Sequence, residues 1–190
     1  MYAFLLSTAV IFVAELGDKS QLMAMTFATR YRARDVIIGL TAATAVVHLV
    51  SVGIGYLIGD AFADYQGAIE IGAGLAFLAF ALWTLRGDEL TDEDTAKANA
   101  ATGRAVLVVA TFFFLAELGD KTMLATITLA TQEGWFGTWL GSTVGMVAAD
   151  ALAIGVGAML GRQLPEHVIK YGAAALFAVF GIALVVSGAR

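Results

Sequence analysis

The sequence predicts an all-α integral membrane protein with six transmembrane helices, arranged as two inverted three-helix repeats. Three observations carry that expectation: an apolar composition, six apolar stretches of spanning length, and a charged pentapeptide that occurs twice. Hydrophobic residues fill 59% of the 190 positions and charged residues only 14%, mean hydropathy is +0.82, and Pro165 is the single proline. A water-soluble domain carries about 25% charged residues, so this chain is composed for a different solvent. With no cysteine it offers no thiolate to a soft metal.

Crossing a hydrocarbon core of about 30 Å takes about 20 helical residues. The apolar stretches run approximately over 3–29, 36–58, 68–85, 105–131, 138–160 and 168–187. No Lys or Arg precedes Lys19, so the basic start of a cleavable signal peptide is missing and the first stretch is expected to stay as structure. The second and third stretches are joined by a short connection. Between the third and fourth lie Asp88, Glu89, Asp92, Glu93 and Asp94, a composition that reads as a solvated loop. The expected organisation is therefore a first three-helix repeat at 1–86, an acidic cytoplasmic loop at 87–103 and a second repeat at 104–190. Phe112, Phe113 and Phe114 in the fourth stretch read as lipid-facing or core.

Orientation follows from the basic residues. Arg30, Arg32, Arg34, Arg86, Lys97, Arg104, Arg162 and Lys170 fall in the loops after the first, third and fifth stretches, whereas the opposite side carries only Arg190. By the positive-inside rule those loops face the cytoplasm. The expected location is the inner (plasma) membrane, multi-pass, with both termini external.

Glu-Leu-Gly-Asp-Lys stands at 15–19 and again at 117–121. A shift of 102 residues lays 14–29 onto 116–131 with ten identities in sixteen positions, and it also pairs Gly39 with Gly141, Thr41 with Thr143 and Gly55 with Gly157. The chain is thus an internal duplication. Three helices per half is an odd number, so the second half enters the membrane in the opposite sense, the architecture of carriers that bind substrate where the halves meet.

Burying Glu15, Asp18, Lys19, Glu117, Asp120 and Lys121 in a bilayer costs on the order of 10 kcal/mol in total on insertion scales. A bound cation would offset that cost. One copy of the pentapeptide also fits a helix end at the interface with a snorkelling lysine; two symmetric copies fit that reading poorly. Glu and Asp three residues apart share a helix face, and inverted symmetry is expected to bring the pair Glu15 and Asp18 to the pair Glu117 and Asp120. Four carboxylates form a hard oxygen site suited to Ca²⁺, Mg²⁺ or Mn²⁺. Ser20, Gln21 and Thr122 are candidate auxiliary ligands, and Lys19 and Lys121 are assigned to charge compensation or gating. Gly17 and Gly119 permit a local break between the acids. His48 and Asp150 are related by the same 102-residue shift and fall mid-helix, which marks them as a candidate secondary site or proton relay. For His48 an ordinary interhelical hydrogen bond explains the residue equally well.

Glu15-Leu16-Gly17-Asp18-Lys19-Ser20 and Glu117-Leu118-Gly119-Asp120-Lys121-Thr122, one per half and separated by an acidic segment, resemble the twin Glu-x-Gly-Asp-(Lys/Arg)-(Ser/Thr) motifs of the Gdt-type cation/proton exchangers. That family includes bacterial manganese exporters and Golgi calcium/manganese transporters. The resemblance covers essentially the whole chain and implies that the motif acids bind a transported cation, Mn²⁺ exported in exchange for protons. A Ca²⁺/H⁺ exchanger and a divalent cation channel are the alternatives. No nucleophile with an adjacent base suggests an enzyme. The expected partners are the lipid bilayer, the cation and protons, with no nucleic acid and no cofactor.

Overall fold

The computed structural model describes residues 1–86, 93, 96, 98, 100, 103–160 and 166–190. The described residues form helices and no strand. In chain order these are α1 Tyr2–Glu15, α2 Lys19–Ala28, α3 Ala33–Ala61, a 3₁₀ turn Ala63–Tyr65, α4 Gln66–Arg86, α5 Ala105–Glu117, α6 Lys121–Gln132, α7 Trp135–Leu160 and α8 Glu166–Gly188.

Four segments are long and apolar enough to cross a membrane unaided: Ala33–Ala61, Ala63–Arg86, Trp135–Ala158 and Lys170–Gly188. These correspond to the second, third, fifth and sixth expected stretches. The first and fourth are each broken in two. At 14 residues α1 is about 21 Å long at 1.5 Å per residue, which is short of a hydrocarbon core, and only α1 with α2, or α5 with α6, has the length to span. Both breaks fall inside the repeated pentapeptide.

The molecule is built inside out relative to a water-soluble protein. On α3, Ile38, Val46, Leu49 and Leu57 face outward, whereas Thr44, His48 and Ser51 are buried. Leu82, Leu115 and Val179 are also exposed, at 67%, 63% and 68%, while Glu15 is at 0%. An apolar shell around a polar interior is stable only where the surrounding solvent is lipid.

Small residues let the helices touch backbone to backbone, as packing in lipid requires. A methyl group at Gly74 would lie 2.6 Å from the carbonyl oxygen of Gly181, and one at Gly181 would lie 2.7 Å from that of Gly74. Gly67 meets Gly188 in the same way, so α4 and α8 run antiparallel. On α7, Gly137 abuts Ala3 and Gly145 abuts Thr8 and Phe12, which sets α7 parallel to α1. Gly39 against Val106 and Val109, followed by Gly59 against Thr131, sets α3 parallel to α5 and α6. Thr44 Oγ1 donates to Met146 Sδ at 3.5 Å; these two positions are 102 apart, so the copies meet at equivalent residues where α3 crosses α7.

One apolar cluster joins Val10, Ile11 and Ala14 to Phe77, Phe80, Met146 and Phe177. A second joins Met23, Phe27, Val36 and Leu40 to Val109, Phe113 and Ile154. Phe113 is therefore core, with Phe112 and Phe114 packed at its edge. The expected acidic loop lies mostly outside the described residues, including Asp88, Glu89, Asp92 and Asp94. Ala98 departs from the solvated reading. It is 1% exposed within the second cluster, and its carbonyl accepts from Arg30 Nη1 at 2.5 Å.

Candidate functional site at paired helix breaks

Each pentapeptide folds as a type II turn between two helices. In the first, Leu16 has φ −59° and ψ 124°, Gly17 has φ +75°, and Asp18 N–H donates to the Glu15 carbonyl at 3.0 Å. In the second, Leu118 has φ −65° and ψ 113°, Gly119 has φ +80°, and Asp120 N–H donates to Glu117 at 3.2 Å. A type II turn demands a positive φ at its third residue, which glycine supplies without strain. A Gly17→Ala variant is therefore expected to lose about 1–2 kcal/mol and to displace Asp18, read as a lower unfolding temperature in detergent together with slower transport. Unchanged values for both would refute a strained turn.

The turn also changes how the acids are presented. The expected shared helix face is replaced by a glutamate that ends one helix and an aspartate that begins the next, because the positive φ at glycine stops helical propagation. Asp18 caps α2, its Oδ2 accepting from Ser20 N–H at 3.3 Å, and Asp120 occupies the same position before α6. Glu15 accepts from Ser20 Oγ, and Glu117 Oε2 accepts from Thr122 Oγ1 at 3.0 Å. All four acids are buried, at 0% to 4% exposure.

The lysines cross between the copies. Lys121 pairs with Asp18 of the first motif, and Lys19 lies 3.9 Å from Asp120 of the second. The two pairs differ in environment: the Lys121 side chain is 4% exposed and that of Lys19 32%. Compensation by ion pairing was legible in the sequence. The exchange of partners between copies, which ties the two breaks together, was not.

The structure brings both pentapeptides into one buried region. The crossed pairs Lys121–Asp18 and Lys19–Asp120 join them there. Yet among the described residues no three acidic or histidine side chains converge closely enough to hold an ion. The four carboxylates are neighbours with an ammonium group set against each aspartate, rather than a closed coordination shell. Glu15 Oε2 and Glu117 Oε1 are buried without a hydrogen-bond partner in the protein, which leaves one oxygen of each glutamate available to a cation.

Gln21 acts as a strut rather than a free ligand. Its Oε1 accepts from Gly17 N–H at 2.8 Å and its Nε2 donates to the Ala149 carbonyl at 2.8 Å. The equivalent residue in the second copy is Met123, whose sulfur accepts from Gly119 N–H at 3.2 Å. Residue reasoning passed over Met123, although the mismatch with Gln21 is visible once the copies are superposed. His48 and Asp150 are fully buried, and neither has a hydrogen-bond partner for any side-chain polar atom.

A family profile described as "Divalent cation/proton antiporter GDT1" matches residues 3–92 and 105–190, nearly the whole chain and both motifs. The chain belongs to the GDT1 family. It is 30% identical over 189 residues to a Vibrio cholerae protein named "Putative manganese exporter", covering 96% of this chain and 90% of the relative. It is 31% identical over 207 residues to GDT1-like protein 2, chloroplastic, of rice, covering 95% of this chain and 60% of that protein. A Synechocystis GDT1-like protein is 29% identical across 95% of each chain. No solved structure matches. Membership makes the chain a multi-pass membrane protein of a transporter family rather than an enzyme.

Proposed function

We propose that this chain is a six-span carrier that exports Mn²⁺ in exchange for protons, with Glu15, Asp18, Glu117 and Asp120 as its cation ligands. The observation that carries the reading is the pair of identical helix breaks whose lysines and aspartates cross between the copies. The proposed halves are 1–86 and 104–190, inverted relative to one another and joined by 87–103. The helix directions support inversion: α7 runs beside α1 in the same sense, α3 runs beside α5 and α6 in the same sense, and α4 opposes α8. That is the set of directions produced by six consecutive crossings.

Charge fixes the class of cargo. Four ionised carboxylates and two ammonium groups leave a surplus of two negative charges, which one divalent ion neutralises. Carboxylate oxygens, with hydroxyls from Ser20 and Thr122, are hard donors. Among hard divalent ions Mn²⁺ is favoured by the name of the Vibrio relative, and Ca²⁺ would use the same oxygens. When the metal leaves, protons occupy the same carboxylates, so at most two protons return per ion, and at that limit the exchange is electroneutral.

Purified protein in liposomes loaded with a pH-sensitive dye is expected to take up Mn²⁺ with proton efflux, faster than Ca²⁺ at equal concentration. Uptake that moves no protons and ignores a collapsed pH gradient would instead identify a uniporter or channel. Faster Ca²⁺ than Mn²⁺ would make the chain a calcium exchanger.

The basic loops support a cytoplasmic 87–103 in a plasma-membrane protein with both termini outside. A reporter fused after Arg190 is expected to be accessible in intact cells. Labelling of the 87–103 segment by an impermeant reagent in those cells would reverse the orientation and the export direction with it.

A further inference from the structure

One enclosed carboxylate lies outside both motifs. Asp150, on α7, is 0% exposed, and neither of its oxygens has a hydrogen-bond partner in the protein. A charge so placed costs several kcal/mol when nothing pairs with it, and an apolar side chain in its place would be more stable. Packing therefore does not explain it. Its surroundings point to a ligand. Its neighbour Ala149 is tied through Gln21 to the first helix break, so Asp150 stands on the side of the first motif.

The backbone holds it there. Gln21 bridges Gly17 of the first turn to the carbonyl of Ala149, the residue beside Asp150. The close approach of α1 to α7 at Gly141 and Gly145 fixes the two helices against each other. These contacts hold the first turn against this part of α7.

We infer that Asp150 is a fifth carboxylate ligand for the divalent cation, on the side of the first motif. The inference rests on the cation-transport reading above and makes the two halves of the site chemically unequal. At the matching position of α3 the first copy carries His48, likewise enclosed with both ring nitrogens unpaired. The second copy thus supplies a carboxylate where the first supplies an imidazole. Hard ions favour the oxygen-rich side.

The test is Mn²⁺-dependent thermal stabilisation of the full chain in detergent, alongside Mn²⁺ transport in liposomes, for wild type, Asp150→Asn, Asp150→Glu and Glu15→Gln. In Asp150→Asn the Mn²⁺ concentration needed for half-maximal stabilisation and the KM for transport are expected to rise about 10- to 100-fold. Its metal-free stability should not fall, since an amide replaces an unpaired charge, and Asp150→Glu should recover much of the response. An Asp150→Asn protein that responds to Mn²⁺ as wild type does, while Glu15→Gln has lost the response, overturns the fifth ligand and leaves the transport reading standing. Failure of both Asp150→Asn and Asp150→Leu to fold would assign the residue a structural role and also overturn it. A wild type that neither binds nor transports Mn²⁺ would sink the transport reading itself.

Discussion

Glu15→Gln and Glu117→Gln are each expected to abolish Mn²⁺-driven proton exchange while the protein remains folded. Both glutamates end a helix at the break, both are fully enclosed, and each has one oxygen bonded to the hydroxyl of Ser20 or Thr122 and one oxygen unpartnered. The amide keeps the acceptor that the hydroxyl uses, so the local fold has little reason to change. What disappears is a negative charge and an oxygen able to take either a metal or a proton. Outer-shell changes at metal sites cost about 10- to 100-fold in affinity or activity, and loss of a direct ligand should meet or exceed the upper figure. The measurement is initial Mn²⁺ uptake and proton efflux in liposomes, with unfolding temperature in EDTA as the control for folding. Either variant transporting at the wild-type rate with an unchanged KM would remove that glutamate from the site, and both doing so would dismantle it. Ser20→Ala and Thr122→Ala should be milder, because each removes only the hydroxyl that orients its glutamate.

Why the sequence showed these residues and not their arrangement is a question of which interactions are local. The pentapeptide is legible because six ionisable residues in apolar surroundings violate the rule for lipid-facing helices, and the 102-residue shift makes the violation systematic. Four of the six expected stretches were legible by length alone, since α3, α4, α7 and α8 each place enough apolar residues in one uninterrupted helix. The first and fourth stretches read as single spans within which Gly17 and Gly119 permit a local break, since each is a single small residue in an otherwise helix-compatible run. Only the actual φ of +75° and +80° distinguishes a helical glycine from one that closes a type II turn. The crossed lysines were out of reach for a different reason. Lys19 is adjacent in sequence to Asp18 and Lys121 to Asp120, yet each ammonium faces the other copy's aspartate, a partnership that tertiary packing rather than local sequence sets. Composition likewise marked 87–103 as acidic and solvated, whereas the burial of Ala98 beside Phe27 and Val36 depends on a tertiary contact that composition does not encode.

The two lysines, identical in sequence context, are expected to differ sharply when removed. Lys121 is enclosed and bonded closely to Asp18, which is itself 1% exposed. Lys121→Met leaves a buried carboxylate without its counter-ion, a change that costs about 3–5 kcal/mol in buried pairs. Lys19 reaches Asp120 only at 3.9 Å with a third of its side chain exposed, so Lys19→Met should cost no more than about 1 kcal/mol, as for solvent-screened pairs. Unfolding temperatures in detergent with EDTA present would read the contrast without interference from bound metal. The double variant Lys121→Met with Asp18→Asn removes both charges together, and it should regain much of the stability lost by the single lysine change while remaining inactive in transport. That combination tests the two proposed roles of the pair separately, the lysine as counter-ion to the aspartate and the aspartate as cation ligand. If Lys121→Met and Lys19→Met destabilised the protein equally, the asymmetry between the buried and the exposed pair would carry no energetic weight. If the double variant were no more stable than Lys121→Met alone, Asp18 would not be the partner whose charge Lys121 offsets.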